Sequence, residues 1–139
     1  LQSQFIDGAT EDVEAINDLT SRLKGDDQWF TYFGSIDMPE FLTKIRQDVE
    51  KIEAKGGRVI FVRHPSDSYY YDMTVKHFPR KDFYDQMIKA TGCLGIHFED
   101  YPELMGYELP DGSHLKPEDA NEYTRKIIDI IARHDNGEL

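Results

Sequence analysis

Asp111 and His114 are the residues whose types and spacing are best suited to chemistry. They lie within Pro110-Asp111-Gly112-Ser113-His114-Leu115, on a turn loosened by Gly112. A carboxylate at that spacing can reach back to one imidazole nitrogen and fix the tautomer. The other nitrogen is then left to act as a general base toward a serine hydroxyl. A plainer reading of the same residues is that Asp111-Gly112 makes a turn and His114 is a polar residue leading into a helix. Asp-x-x-His is short and common, so spacing alone does not choose between them.

In open parallel sheets, sites form beyond the carboxyl ends of the strands. One such end carries Arg63, His64 and Pro65, and a second carries Glu99 and Asp100. Arg63 and His64 are candidate substrate-binding residues, placed to contact an anionic group. The alternatives are a rim salt bridge for Arg63 and a pre-proline loop role for His64. His97 and Asp100 could join Asp111 and His114 around a metal. Strand alternation, however, turns His97 away from the side shared by Ile96 and Phe98, and its pairing with Asp100 is not assured. Neither a metal nor a cofactor is expected. Tyr69, Tyr70 and Tyr71 either line a cleft or pack a loop, and Tyr107 is similarly open. Cys93 is the single cysteine, so an intramolecular disulfide is excluded and a Cys-based zinc site fits poorly. It reads most simply as a small buried residue.

These residues need elements to position them. Thr10 suits the cap of a first helix containing Val13, Ile16, Leu19 and Leu23, which Gly25-Asp26-Asp27 breaks. The aromatic stretch from Gln28 to Gly34 is either a short strand or a packed loop. Residues 1–34 thus form a lead-in with an N-terminal helix, and 35–139 the main α/β unit. There Asp37 suits an N-cap and Pro39 a first turn, ahead of a stripe of Phe41, Leu42, Ile45, Val49 and Ile52. Gly56-Gly57 ends that helix. Arg58 to Arg63 is a β-branched run that predicts a strand buried on both faces. His64-Pro65 closes it, and a polar loop with the three tyrosines is expected next. Pro79 precedes a helix facing inward through Phe83, Met87 and Ile88 and ending at Gly92. A short strand spans Leu94 to Phe98, and Pro102 and Pro110 keep the following segment irregular. A last helix begins near Pro117 and buries Ala120, Tyr123, Ile127, Ile130 and Ile131. The order is helix, strand, helix, strand, loop, helix, which argues for a layered α/β fold with a parallel sheet.

The chain has 139 residues, enough for one compact domain, and a formal net charge of −11 from 27 acidic and 16 basic residues. With no segregated basic patch, that balance would repel a nucleic-acid backbone, so no nucleic-acid partner is expected. The scattered acids read as a solvated surface. No apolar run approaches the roughly 20 residues that span a bilayer. The chain opens on Leu1 rather than Met, which is read as the mark of a processed product or a piece of something longer.

The position of Asp-x-x-His, late in an α/β chain and directly before the closing helix, resembles the last motif block of the SGNH/GDSL hydrolase family. The resemblance runs through Asp111-Gly112-Ser113-His114-Leu115-Lys116-Pro117-Glu118-Asp119-Ala120. It extends upstream to Gly56-Gly57-Arg58-Val59-Ile60-Phe61-Val62-Arg63-His64-Pro65. More narrowly, Pro39 to His134 is similar to bacterial SGNH-like proteins of poorly defined substrate. The resemblance implies a three-layer α/β/α, flavodoxin-like (SGNH-type) parallel sheet, incomplete in this chain. It implies His114 as general base and Asp111 as its orienting carboxylate. The substrate implied is a small-molecule ester or acylated carbohydrate, and the parent an exported or membrane-anchored bacterial protein.

The family's nucleophile serine in a Gly-Asp-Ser block, and its oxyanion-hole glycine and asparagine, have no counterpart here. Gly34-Ser35-Ile36-Asp37 is the nearest imitation, but it leads into a helix capped by Asp37. The expected activity is therefore the acid–base half of a serine esterase or acyl-transfer hydrolase, with the serine upstream. The alternative is an inactive binding or structural domain of the same fold. A regulated flavodoxin-like receiver would need paired acids after its first strand, and no such strand opens this chain. A partial sheet would leave edges and helix faces uncovered, through which self-association is expected.

Overall fold

The computed structural model describes residues 36–139; the expected helix after Thr10, the aromatic stretch 28–34 and Ser35 lie outside the described residues. Within 36–139 the chain is a mixed α/β fold of four α-helices and a two-stranded parallel sheet. Helix α1 spans Met38–Glu53 and starts as expected: the Asp37 side chain accepts the Glu40 N–H at 3.1 Å, and Pro39 sits in the first turn. A turn with Gly56 at φ +78° follows. Strand β1 is Ile60–Arg63, α2 is Ser68–His77, α3 is Tyr84–Thr91 and β2 is Leu94–His97. Two 3-10 turns, Phe98–Asp100 and Pro102–Leu104, lead into an irregular stretch before α4, Pro117–Asp135. No helix among the described residues is long and apolar enough to cross a membrane.

The strands pair in parallel, Ile60 opposite Leu94 through Arg63 opposite His97. Parallel pairing brings both carboxyl ends to the same edge of the sheet, and with them the loops after Arg63 and His97. Ile96, Phe98, Leu104, Tyr123 and Ile130 form the buried core, with Ile60, Val62, Leu94, Leu115, Ile127 and Ile131 partly buried against it. Residues of alternate parity meet α3 instead. Tyr84 Oη donates to the Phe61 carbonyl at 3.1 Å, and the Tyr84 ring meets His97 edge-on. At Gly95 a Cβ would fall 2.7 Å from Ile88 Cδ1, so the bare backbone is what lets α3 lie this close to the sheet. Helix α1 in turn packs on α3.

Three expectations need correction. The stretch holding Tyr69, Tyr70 and Tyr71 is the first turn of α2 and not a polar loop. That helix carries only one buried side chain, Met73, so its apolar periodicity is faint and the adjacent tyrosines masked it. Strand β1 is half-buried along its length rather than sealed on both faces. The short α3 and the single neighbouring strand among the described residues leave part of it uncovered. Finally, Ala120 is exposed on α4, whose buried residues are Tyr123 and Ile130.

Candidate active site

Asp111 sits in a loop with no regular secondary structure, where a carboxylate can satisfy several donors that a helix would have consumed. One oxygen, Oδ1, accepts the backbone N–H of Ser113 at 2.9 Å and of His114 at 2.8 Å, and the Ser113 hydroxyl at 3.1 Å. The other, Oδ2, lies 2.6 Å from His114 Nδ1. The two oxygens thus act separately, since Oδ1 ties the carboxylate to the turn while Oδ2 addresses the imidazole. Burial pushes the Asp111 carboxyl up, but the hydrogen bonds from Ser113 and His114 outweigh it and hold the group below its ordinary range. A carboxylate that stays ionised keeps Nδ1 protonated and moves the basic lone pair to Nε2. The His114 side chain is 55% exposed, against 31% for Asp111. The carboxylate is thus the more sheltered of the two groups and the imidazole the more reachable.

Arg63 and His64 lie at the end of β1 as expected, Arg63 half-buried and His64 exposed. The Arg63 guanidinium donates to the His64 carbonyl at 2.6 Å and to Ser66 Oγ at 2.8 Å, with its carbon 5.9 Å from the Phe98 ring centre. His64 Nδ1 and Tyr123 Oη lie 3.3 Å apart. Desolvation, and then the positive Arg63, pull the His64 imidazole below its ordinary value. The link from this loop to the Asp-x-x-His loop runs through Asp67, whose backbone N–H donates to the Gly112 carbonyl at 2.9 Å.

The possible metal set does not converge. Arg80 clamps Asp100 with two bonds of 2.7 Å, and His97 is a core residue packed on Tyr84 and Phe98. No group of three or more metal-ligating side chains occurs among the described residues. Tyr71 donates to Glu99 at 2.7 Å, and Tyr107 accepts from Lys126 at 2.7 Å while meeting Tyr123 edge-on. Both tyrosines are therefore held in side-chain contacts of the fold. Cys93 is buried, as its size suggested.

Sequence reasoning gave Ser113 and Asp67 no role at this site, and named Tyr70 only as one of three tyrosines that line a cleft or pack a loop. Desolvation, and then the Asp111 charge, raise the Tyr70 phenol, which places that ring within the carboxylate's field. Ser113 carried a legible signal: a hydroxyl two residues after an aspartate is the pattern of an Asx turn. Asp67 had none, because it meets the motif only through tertiary packing. No protein-family model, curated protein or solved structure matches this chain.

Proposed function

We propose that Asp111 and His114 are the acid–base pair of a serine ester hydrolase or acyl-transfer enzyme of SGNH type, acting on a small-molecule ester or acylated carbohydrate. The observation that carries this reading is the 2.6 Å contact between Asp111 Oδ2 and His114 Nδ1, made by a carboxylate whose other oxygen is anchored to the turn. An orienting carboxylate, a half-exposed imidazole and a position beyond the strand ends are what general-base activation of a hydroxyl demands. The parallel pair with α4 on one face and α3 on the other is compatible with part of a three-layer, flavodoxin-like sheet. In this reading the nucleophile serine and the oxyanion donors come from outside residues 36–139.

In the reaction, Nε2 takes the serine proton as the hydroxyl attacks the ester carbonyl, then returns it to the leaving alcohol. Asp111 stabilises the imidazolium that forms between the two steps. The test is fluorophosphonate labelling of the full-length gene product, with the modified residue mapped by mass spectrometry. A label on a serine that is lost in His114→Ala is the expected outcome. A folded gene product that takes no label would remove the hydrolase reading and favour a binding domain on a hydrolase-like fold.

A further inference from the structure

The turn between β1 and α2 is braced more heavily than a connecting loop needs. Arg63, the last residue of β1, folds its guanidinium back so that one nitrogen meets the His64 carbonyl and the other Ser66 Oγ. A planar fork holds two acceptors in fixed relation, which the point charge of an ammonium does not. Directly after the braced residues comes Asp67, the donor to the Gly112 carbonyl. Ser68 then takes φ +48°, a left-handed conformation that an L residue adopts only where the surroundings enforce it.

On the other side of this junction, Gly112 is buried at φ +80°. A Cβ there would stand 3.1 Å from Asp67 Oδ1 and 3.2 Å from Tyr70 Cδ2. Gly112 lies between Asp111 and His114, in a loop that has no ladder of its own to fix it. Its own N–H donates to the Leu109 carbonyl at 2.9 Å, so Gly112 is held from two sides: by its local turn and by the start of α2, which Arg63 braces.

Resting on the reading of Asp111 and His114 as an acid–base pair, we propose that Arg63 is a positioning residue for that pair and not a substrate ligand. Through residues 64–67 it holds Gly112, and through Gly112 it sets the distance from Asp111 to His114. An anionic substrate would have to displace two hydrogen bonds that the guanidinium already makes, and the turn would loosen as it did so.

The experiment reads the His114 tautomer from its ring-nitrogen shifts, by two-bond proton–nitrogen NMR on the full 139-residue chain. Assignment comes from the signal lost in His114→Gln. Wild type is expected to hold the Nδ1–H form in large excess. Arg63→Lys keeps the charge and removes the fork; Gly112→Ala strains the same contact from the other side. Each is expected to lower the ratio of Nδ1–H to Nε2–H by about tenfold, the effect of weakening one or two hydrogen bonds. Gly106→Ala is the control. Gly106 has φ +83° and nothing within 4 Å of its would-be Cβ, so it carries the same backbone cost away from the junction and should leave the ratio unchanged.

A folded Arg63→Lys with the wild-type ratio overturns the proposal, as do equal shifts in all three variants. A lowered melting temperature with an unmoved ratio would mark a merely structural arginine and overturns it too. If Arg63→Lys does not fold, Gly112→Ala beside Gly106→Ala decides, and equal ratios there count against positioning. The ratio is read whether or not the protein hydrolyses anything. A shifted ratio in a gene product that takes no fluorophosphonate would remove the hydrolase reading and leave the brace standing.

Discussion

The loop carrying Asp111 and His114, and the end of β2 carrying His97, Glu99 and Asp100, each set an imidazole beside carboxylates in very different surroundings. His114 is half-exposed, and its Nδ1 faces a carboxylate whose other oxygen is tied to backbone N–H groups. His97 is 6% exposed; its Nδ1 accepts the Glu99 N–H at 3.4 Å, and its ring lies against Tyr84 and Phe98. The acids near His97 are largely shared with other groups: Arg80 takes Asp100, and Glu99 accepts from Tyr71 on one oxygen while the other stands 3.6 Å from His97 Nδ1. The comparison teaches that proximity of His to Asp or Glu does not make a site. In both the acid faces Nδ1, so what differs is how close the carboxylate stands, 2.6 Å against 3.6 Å, and whether the ring remains reachable.

The sharpest way to break this contrast is Asp111→Asn. The amide oxygen can still accept the turn N–H groups, but its nitrogen would face Nδ1 and force the proton onto Nε2. Under the proposed function, activity of the full-length gene product should fall on the order of 10³–10⁴-fold with the fold intact. The rate of fluorophosphonate labelling is the measurement, and an unchanged rate would refute the proposed roles.

His97→Ala should act on stability instead, costing about 2–4 kcal/mol by urea denaturation, because it empties a packed site between Tyr84 and Phe98. The pH dependence separates the two regions at intermediate size. Burial, and then Arg80, hold the His97 imidazole below its ordinary 6.5. The unfolded chain therefore binds the proton first, and stability falls as pH drops below about 6.5 toward the lower folded value. His64 has the same sign, so the slope should shrink, without vanishing, in His97→Phe. Asp111 is also depressed, and its contribution is present above its ordinary 3.8 and lost as pH falls through the folded value. Thermal melts between pH 7 and pH 3 (a range set by those two ordinary values) should show two separate declines. Smallest of all is His114→Ala, which leaves Ser113 and the backbone donors on Asp111 and should change stability by about 0.5 kcal/mol. A loss as large as that of His97→Ala would erase the distinction between the two histidines.

Local chemistry made much of this legible in advance. Asp37 and Pro39 announce α1 because a capping carboxylate and a proline suit only the first turn of a helix. Gly92, left-handed at φ +68°, marks the end of α3 for the same kind of reason. The β-branched run to Val62 and the Leu94 strand were recoverable from composition, and spacing showed that Asp111 could reach His114. Alternation along β2 also turned His97 to the side opposite Ile96, where it meets α3. Sequence did not say that both sides would be covered there.

The sequence by itself determined which backbone segments could be helix or strand, and that one carboxylate could reach one imidazole. Those are interactions between residues a few positions apart, whose geometry the chain carries with it wherever it goes. Tertiary structure alone decided that α2 would begin at a strained Ser68 and that Asp67 would hold Gly112. It also decided that His97 would enter the core while His114 stayed outside. Each of those outcomes depends on segments far apart in sequence packing against one another, and no local propensity encodes that meeting.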